Sequence, residues 1–272
     1  MANSSVTGAE GAAAEPGTDA GGDWAAEAAA MFGAALPEAE RYAALLTGVG
    51  TEQGVVGPGE AARIWDRHVL NCGVIARLIP VTCSLVDLGS GAGLPGIVLA
   101  ILRPASQVTL VEPMARRAAF LQECVTALGL ANAEVLRGRA EELAGKLAAD
   151  VVTSRAVAPL EKLAGLSAGL ARPGGRVLAM KGSSAAAELA RARPVLARLG
   201  VSDARVVTAA SSSGAITATL VTFTTTSSRS SSSSPHSGRR ASLAGPDGTR
   251  SGRNGAAGGR RQSRPNSRRG GG

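Results

Sequence analysis

The run Val86–Gly96, VDLGSGAGLPG, narrows the possible folds more than any other part of the chain. A short apolar stretch, Ser84–Leu88, leads into glycines at alternate positions, Gly89, Gly91 and Gly93, and then into Pro95 and an apolar helical pattern. Glycine permits positive φ and close backbone approach, and proline is tolerated at a helix start, where the N–H it lacks would have no partner. A strand that turns this sharply into a helix opens a β–α–β unit. Such strands are covered on both faces, so the chain has to supply further strands and helices in alternation.

The rest of the chain meets that demand. Apolar runs predict strands at Ser84–Leu88, Gln107–Glu112, Glu134–Leu136, Val151–Ser154 and Arg176–Met180. Helical periodicity predicts helices at Pro95–Leu102, Met114–Leu128, Glu141–Leu147, Pro159–Ala171 and Ala185–Leu199. Two β-rich runs, Ala204–Ala209 and Ala218–Phe223, sit close enough to pair antiparallel at the sheet edge. The expected fold class is α/β: five parallel strands followed by a hairpin, the class I methyltransferase variant of the Rossmann-like sheet. A dinucleotide-binding domain would continue with parallel strands.

Upstream, residues 1–22 lack apolar periodicity and read as a disordered lead. Residues 23–80 read as a small N-terminal helical subdomain, with Met31, Phe32, Leu36, Tyr42, Leu45, Leu46 and Val49 at helical spacing and Pro37 opening a second helix. A further amphipathic helix is expected from Pro58 to about Ile79, stopped by Pro80. Residues 81–226 form the catalytic domain. The segment 227–272 is rich in Ser, Gly and Arg, with nothing to build a core, and reads as a disordered tail.

The formal net charge of +8 points to a polyanionic partner, but the tail carries it. Residues 227–272 hold ten arginines against one acid, Asp247, whereas residues 1–226 hold 19 basic and 20 acidic residues. Nucleic-acid binding by the folded part therefore has to rest on a local patch. Cys72, Cys83 and Cys124 form no CxxC pair and suggest neither a disulfide framework nor a metal site; they read as buried thiols. Without a signal peptide or a long apolar span, the chain is expected in the cytoplasm, away from membranes.

Several residues around the turn suggest a nucleoside ligand. Gly91, Gly93 and Gly96 also fit the dinucleotide pattern GxGxxG, so the glycines alone leave the cofactor open. Asp87 lies on the strand before the turn, where a carboxylate suits a cationic group. Glu112 ends the second strand, 23 residues past Gly89, where a carboxylate can accept both hydroxyls of a ribose. Arg139, Ala140 and Glu141 follow the third strand, either as a loop over an adenine ring or as an ordinary helix start. Arg155 follows the fourth strand and Lys181 ends the fifth, both at the carboxyl edge where such sheets hold ligands. An arginine at that point, in place of an acid or Asn motif, suits a phosphate or a base edge better than an exocyclic amine.

Together the motifs WDRHVLN (Trp65–Asn71), VDLGSGAGLPGI (Val86–Ile97), LVEPMARRAAFL (Leu110–Leu121), GRAEEL (Gly138–Leu143), SRAVAPL (Ser154–Leu160) and MKG (Met180–Gly182) carry a resemblance. The chain resembles the bacterial 16S ribosomal RNA guanine-N7 methyltransferases of the RsmG or GidB type over roughly Trp24 to Phe223. The resemblance implies S-adenosylmethionine as methyl donor, held by Asp87, Gly89, Gly91, Gly93, Leu94, Glu112, Pro113, Met114, Ala140, Glu141 and Arg155. It implies Arg155 and Lys181 as the groups positioning the substrate at the methyl-transfer centre, and Arg67, His68, Arg116 and Lys181 as contacts to RNA. The substrate it implies is 16S rRNA or the small subunit during assembly, methylated at the guanine numbered 527, by a monomer whose loss lowers streptomycin sensitivity. Where the family usually carries Asp and Ser, this chain has Asn71 and Cys72. Two rivals share the features: a NAD-dependent oxidoreductase using the same turn, and a non-catalytic RNA-binding or ribosome-assembly protein.

Overall fold

The structure, a computed structural model, describes residues 24–226; the expected lead at 1–22 and tail at 227–272 lie outside the described residues. Helices α1 (Trp24–Phe32), α2 (Leu36–Thr47) and α3 (Val49–Glu52) come first. The stretch expected as one amphipathic helix is instead a 3-10 turn (Pro58–Arg63), a π-helix (Ile64–Leu70), the short α4 (Asn71–Gly73) and a second 3-10 turn (Val74–Leu78). Then follow β1 (Ser84–Leu88), α5 (Gly96–Leu102), β2 (Gln107–Glu112), α6 (Ala115–Leu128), β3 (Ala133–Arg137), α7 (Ala140–Leu143) and β4 (Ala149–Arg155). The chain continues through α8 (Leu160–Leu170), β5 (Ala171–Met180), α9 (Ala185–Arg198), β6 (Arg205–Ala210) and β7 (Thr217–Thr224). No helix among the described residues is long and apolar enough to cross a membrane.

The strands form one sheet in the order β3-β2-β1-β4-β5-β7-β6, parallel from β1 to β5, with β7 antiparallel to both β5 and β6. The expected terminal hairpin is thus present. Two elements differ from expectation. Strand β5 starts at Ala171 instead of Arg176, because Gly175 and Gly174 exchange backbone bonds with Thr225 and carry the Pro-Gly-Gly run into the sheet. Helix α7 ends at Leu143 instead of Leu147, where the Gly145 N–H leaves the helix for the Gly169 carbonyl.

Helix α5 explains why the N-terminal helices are needed. Gly96 to Ile101 are all buried, so the helix is apolar on every side and requires cover on the face turned away from the sheet. Phe32 of α1 and Tyr42 and Leu46 of α2 share one hydrophobic cluster with Ile97, Leu99, Leu85 and Leu110, so these helices and the sheet have a common core. Trp65 anchors the π-helix to α1, stacking on Trp24 at 4.8 Å and meeting Phe32 edge-on at 6.5 Å. Register places Leu88 beside Val111 on one side and Ser154 on the other, and Arg155 beside Met180. The strand order reverses at β1, so ligand binding is expected in the crevice beyond these carboxyl ends.

Candidate functional site

The turn after β1 folds back over the end of β2. Gly89 and Ser90 donate their N–H groups to the Val111 carbonyl at 2.9 and 3.0 Å. The buried Glu112 accepts the Gly91 N–H on Oε2 and the Met114 N–H on Oε1, both at 2.9 Å. One carboxylate therefore ties the glycine turn to the loop after β2. An ionised carboxylate offers about four lone-pair positions, so acceptor capacity remains for hydroxyl donors.

Asp87 lies fully buried beneath this turn. Its Oδ2 accepts the Gly96 N–H at 2.9 Å, satisfying a donor at the start of α5, while its Oδ1 has no partner. Burial drives its pKa up to about 7, aided by the charge on Glu112 and opposed by hydrogen bonds from Ser90 and Gly96.

The glycines divide the work. Gly91 has φ +59, and a Cβ there would meet only the Gly89 carbonyl, at 3.8 Å. Its Cβ side is open, though Gly91 lines neither of the two openings at this edge. Gly93 has φ +99, and a Cβ there would lie 2.6 Å from Ile97 Cδ1 and 2.7 Å from Tyr42 Oη. Gly93 is therefore a packing glycine that admits Tyr42, whose hydroxyl donates to the Ala92 carbonyl at 2.8 Å.

Two openings lie at the carboxyl edge. A cavity of about 380 Å³ is lined by Gly89, Glu112, Pro113, Met114, Arg117, Ala140, Glu141, Ala156 and Val157 among others. Beside it a cleft of about 780 Å³ is lined by Arg63, Asp66, Arg67, Asn71, Arg155, Lys181, Glu188 and Arg191, and again by Ala156 and Val157. The Ala156–Val157 loop is thus a shared wall. Ala156 has φ +56, the sole non-glycine in the left-handed region among the described residues, and Val157 closes over Gly89.

In the cleft, Arg155 is held from one side. Its Nη1 donates to Cys72 Sγ at 3.1 Å, and its Nη2 reaches the Arg67 carbonyl at 3.3 Å and His68 Nδ1 at 2.7 Å. Three of the five guanidinium N–H groups are used, leaving two for a ligand. Asn71 Nδ2 donates to the Thr217 carbonyl at 2.7 Å, a bond that the carboxylate usual at this position could not make.

The family model for GidB, rRNA small subunit methyltransferase G, matches residues 35–216. The ribosomal RNA small subunit methyltransferase G of Thermobifida fusca (strain YX) is 58% identical over 168 residues, covering 62% of this chain and 71% of that protein. That of Nocardioides sp. (strain ATCC BAA-499 / JS614) is 52% identical over 179 residues, covering 66% and 72%. The chain belongs to the rRNA small subunit methyltransferase G family.

Among solved structures, a SAM-dependent O-methyltransferase from Thermotoga maritima matches 57% of this chain and 64% of its own, at 16% identity and a TM-score of 0.45. As a member of the rRNA small subunit methyltransferase G family, the protein is a ribosomal RNA methyltransferase with S-adenosylmethionine as methyl donor. The smaller cavity fits that cofactor: Glu112 retains acceptor capacity at the wall, and Arg117 Nε is buried without an acceptor. The oxidoreductase reading is overturned by this membership, and the antiparallel β7 agrees.

The two openings gather many of the residues expected from sequence, though on different surfaces. Gly89, Glu112, Pro113, Met114, Ala140 and Glu141 line the smaller cavity, while Asp87, Gly91, Gly93 and Leu94 belong to β1 and the turn and do not line it. Arg155, expected at both cofactor and substrate, lines the cleft. Lys181 also lines the cleft but is buried, with Nζ 2.9 Å from Glu188 Oε2 and bonded to the Ala158 carbonyl. Arg67 is exposed at the rim, and His68 is enclosed between Glu60 and Arg155. Arg116 is exposed on the first turn of α6 and lines neither opening. Cys72 and Cys124 are buried, whereas Cys83 is only partly so. Sequence reasoning passed over Arg63, Arg191 and Arg117, because arginines on helices carry no distinguishing pattern. Tyr42 was read only as a core residue.

Proposed function

We propose that this protein methylates N7 of a guanine in 16S ribosomal RNA, with the base and its flanking phosphates received in the cleft beside Arg155. The observation that supports the reading is the shared Ala156–Val157 wall, between the smaller cavity and the cleft that Arg155 lines. The cleft lining holds five cations, Arg63, Arg67, Arg155, Lys181 and Arg191, against two acids, Asp66 and Glu188. That is the local basic patch a nearly neutral domain needs to hold a polyanion.

Bound in its cavity, S-adenosylmethionine supplies an electrophilic methyl group. Guanine N7 carries a free lone pair on the major-groove edge, so no proton has to leave before attack and no general base is required. What the protein's own residues do is position and stabilise. The two remaining N–H groups of Arg155 suit a phosphate or the guanine O6, fixing the base without occupying N7. Arg63, Arg67 and Arg191 suit phosphates along the strand, since their ion pairs with Asp66, Glu60 and Glu161 are exposed and exchange at little cost. Whether the substrate is free RNA or an assembling subunit, the same groups serve; we infer a monomer acting in the cytoplasm.

The test is to map N7-methylguanine in 16S rRNA from cells with and without the gene, and to repeat the transfer with purified protein. One guanine losing its methyl group in the deletion and regaining it in vitro is the expected result. Cofactor binding with no transfer to any RNA would favour a non-catalytic role in ribosome assembly.

A further inference from the structure

The WDRHVLN segment does more than flank the cleft. Arg155 Nη2 always carries hydrogen, so His68 Nδ1, at 2.7 Å, must be the acceptor in that contact. The ring hydrogen is then on Nε2, which points at Glu60 Oε2 from 2.5 Å. The geometry fixes one tautomer of a neutral imidazole. The groups facing the ring are Glu60 from the Pro58–Arg63 turn, Arg67 from the ring's own π-helix and Arg155 from β4, with Arg63 next to Glu60. Beyond Arg155 the buried Cys72 thiol stays protonated, pushed up to about 11 mainly by burial.

We propose that Glu60 and His68 are a positioning pair that locks the Arg155 guanidinium in its substrate-facing orientation, and that a second proton on His68 releases it. The proposal rests on the reading of Arg155 as the group that orients the guanine. Protonation puts an N–H on Nδ1, so the acceptor that held Arg155 becomes a donor on a cation facing a cation. Burial is the largest influence on His68 and holds its pKa below the ordinary imidazole value; Glu60 opposes this and Arg155 and Arg67 add to it. Release therefore belongs below the pH at which an ordinary imidazole takes up its proton.

Two measurements test the pair. The chain has two histidines, so 15N spectra of the full-length His236→Gln protein report His68 alone. At pH 7.5 an unprotonated Nδ1 with a protonated Nε2 is expected; a protonated Nδ1 would overturn the pair. This readout needs neither cofactor nor turnover. Single-turnover methylation of small-subunit RNA at saturating cofactor, followed from pH 5 to 8, should show an acid limb with a single-proton slope. Glu60→Gln removes a charge that favours protonated His68, so the limb should move to lower pH. His68→Asn keeps an acceptor toward Arg155 and cannot titrate, so the limb should vanish while turnover persists. His68→Gln keeps a donor toward Glu60 but offers Arg155 nothing, so the rate should drop at least ~10-fold at every pH. A limb that stays in place in Glu60→Gln and His68→Asn, with both folded by circular dichroism, would overturn the proposal. A wild-type protein that methylates no RNA would instead overturn the reading of Arg155, and the tautomer would still decide whether the pair exists.

Discussion

The Tyr42 hydroxyl donates to the Ala92 carbonyl at 2.8 Å, joining helix α2 to the glycine turn across 50 residues of sequence. Tyr42 is fully buried, and burial chiefly, with the neighbouring Cys124, Cys72 and Asp87, holds its hydroxyl protonated and a donor well above neutral pH. The bond ties the turn to the N-terminal helices. Tyr42→Phe keeps the ring and loses the bond, which should cost about 1 kcal/mol of stability. It should also weaken binding of S-adenosylhomocysteine several-fold in a calorimetric titration, because the turn loses its backing. Unchanged affinity would confine Tyr42 to the core.

Gly91 and Gly93 have similar backbone freedom and opposite surroundings, so their alanine variants should separate. At Gly93 a Cβ collides with Ile97 and with the Tyr42 hydroxyl, and the φ of +99 is strained for any side chain. Gly93→Ala should lose about 3 kcal/mol or more in denaturant melts. At Gly91 the Cβ enters open space, so Gly91→Ala should lose about 1 kcal/mol from φ alone. Its principal defect should be cofactor affinity. Equal destabilisation of the two would refute the division between a packing glycine and one with open space beside it.

The contrast between these glycines marks what the sequence does and does not convey. Alternating apolar runs and the Gly-rich turn carry the strand order, and Glu112 is legible because a carboxylate at the end of β2 has a fixed relation to the turn. The pattern of glycines does not say which side of the turn each faces, since that depends on Tyr42 arriving from α2. The Pro58–Ile79 stretch shows a helical apolar stripe, yet Trp65, His68, Asn71 and Cys72 are drawn to Trp24, Arg155 and Thr217, and the backbone follows through 3-10 and π turns. Such long-range demands leave no periodic trace. Arg155 was legible as a site residue from its position at the carboxyl edge of β4, but its tethering by His68 and Cys72 required the fold.

Asp87 predicts a pH-dependent stability. Its folded pKa is raised to about 7, mainly by burial, above the value near 3.8 of a free carboxyl. The folded state then holds a proton that the unfolded chain has released, so its contribution is complete below about pH 4 and is lost as pH rises toward 7. The slope is about 1.4 kcal/mol per pH unit in that window. Asp87→Asn keeps an oxygen for the Gly96 N–H and removes the ionisation. Its stability relative to wild type should rise by on the order of 2 kcal/mol between pH 5 and pH 7 and then level off. Chemical denaturation across that range checks it, and a pH-independent difference would show that Asp87 is ionised in the folded protein throughout.

Lys181 and Glu188 allow two accounts of the same side chain to be separated. The ammonium is 7% exposed and lies 2.9 Å from Glu188, which is 12% exposed and also accepts the Leu160 N–H and the Ser184 hydroxyl. Burial opposes the charge on Glu188, but Ser184, Lys181 and Leu160 outweigh it and its pKa falls below the usual range. With its other contact on the Ala158 carbonyl, Lys181 binds the loop after β4 to α9. Removing one partner of such a pair leaves a buried charge, so Lys181→Ala should lose about 3 kcal/mol. Glu188→Gln should lose methylation activity in parallel, and the double variant should be no worse than the poorer single one. If Lys181 instead held an RNA phosphate, its removal would reduce the salt dependence of RNA binding by about one unit of slope. The tie between loop and helix predicts an unchanged slope, because the ammonium is already held by Glu188 and the Ala158 carbonyl.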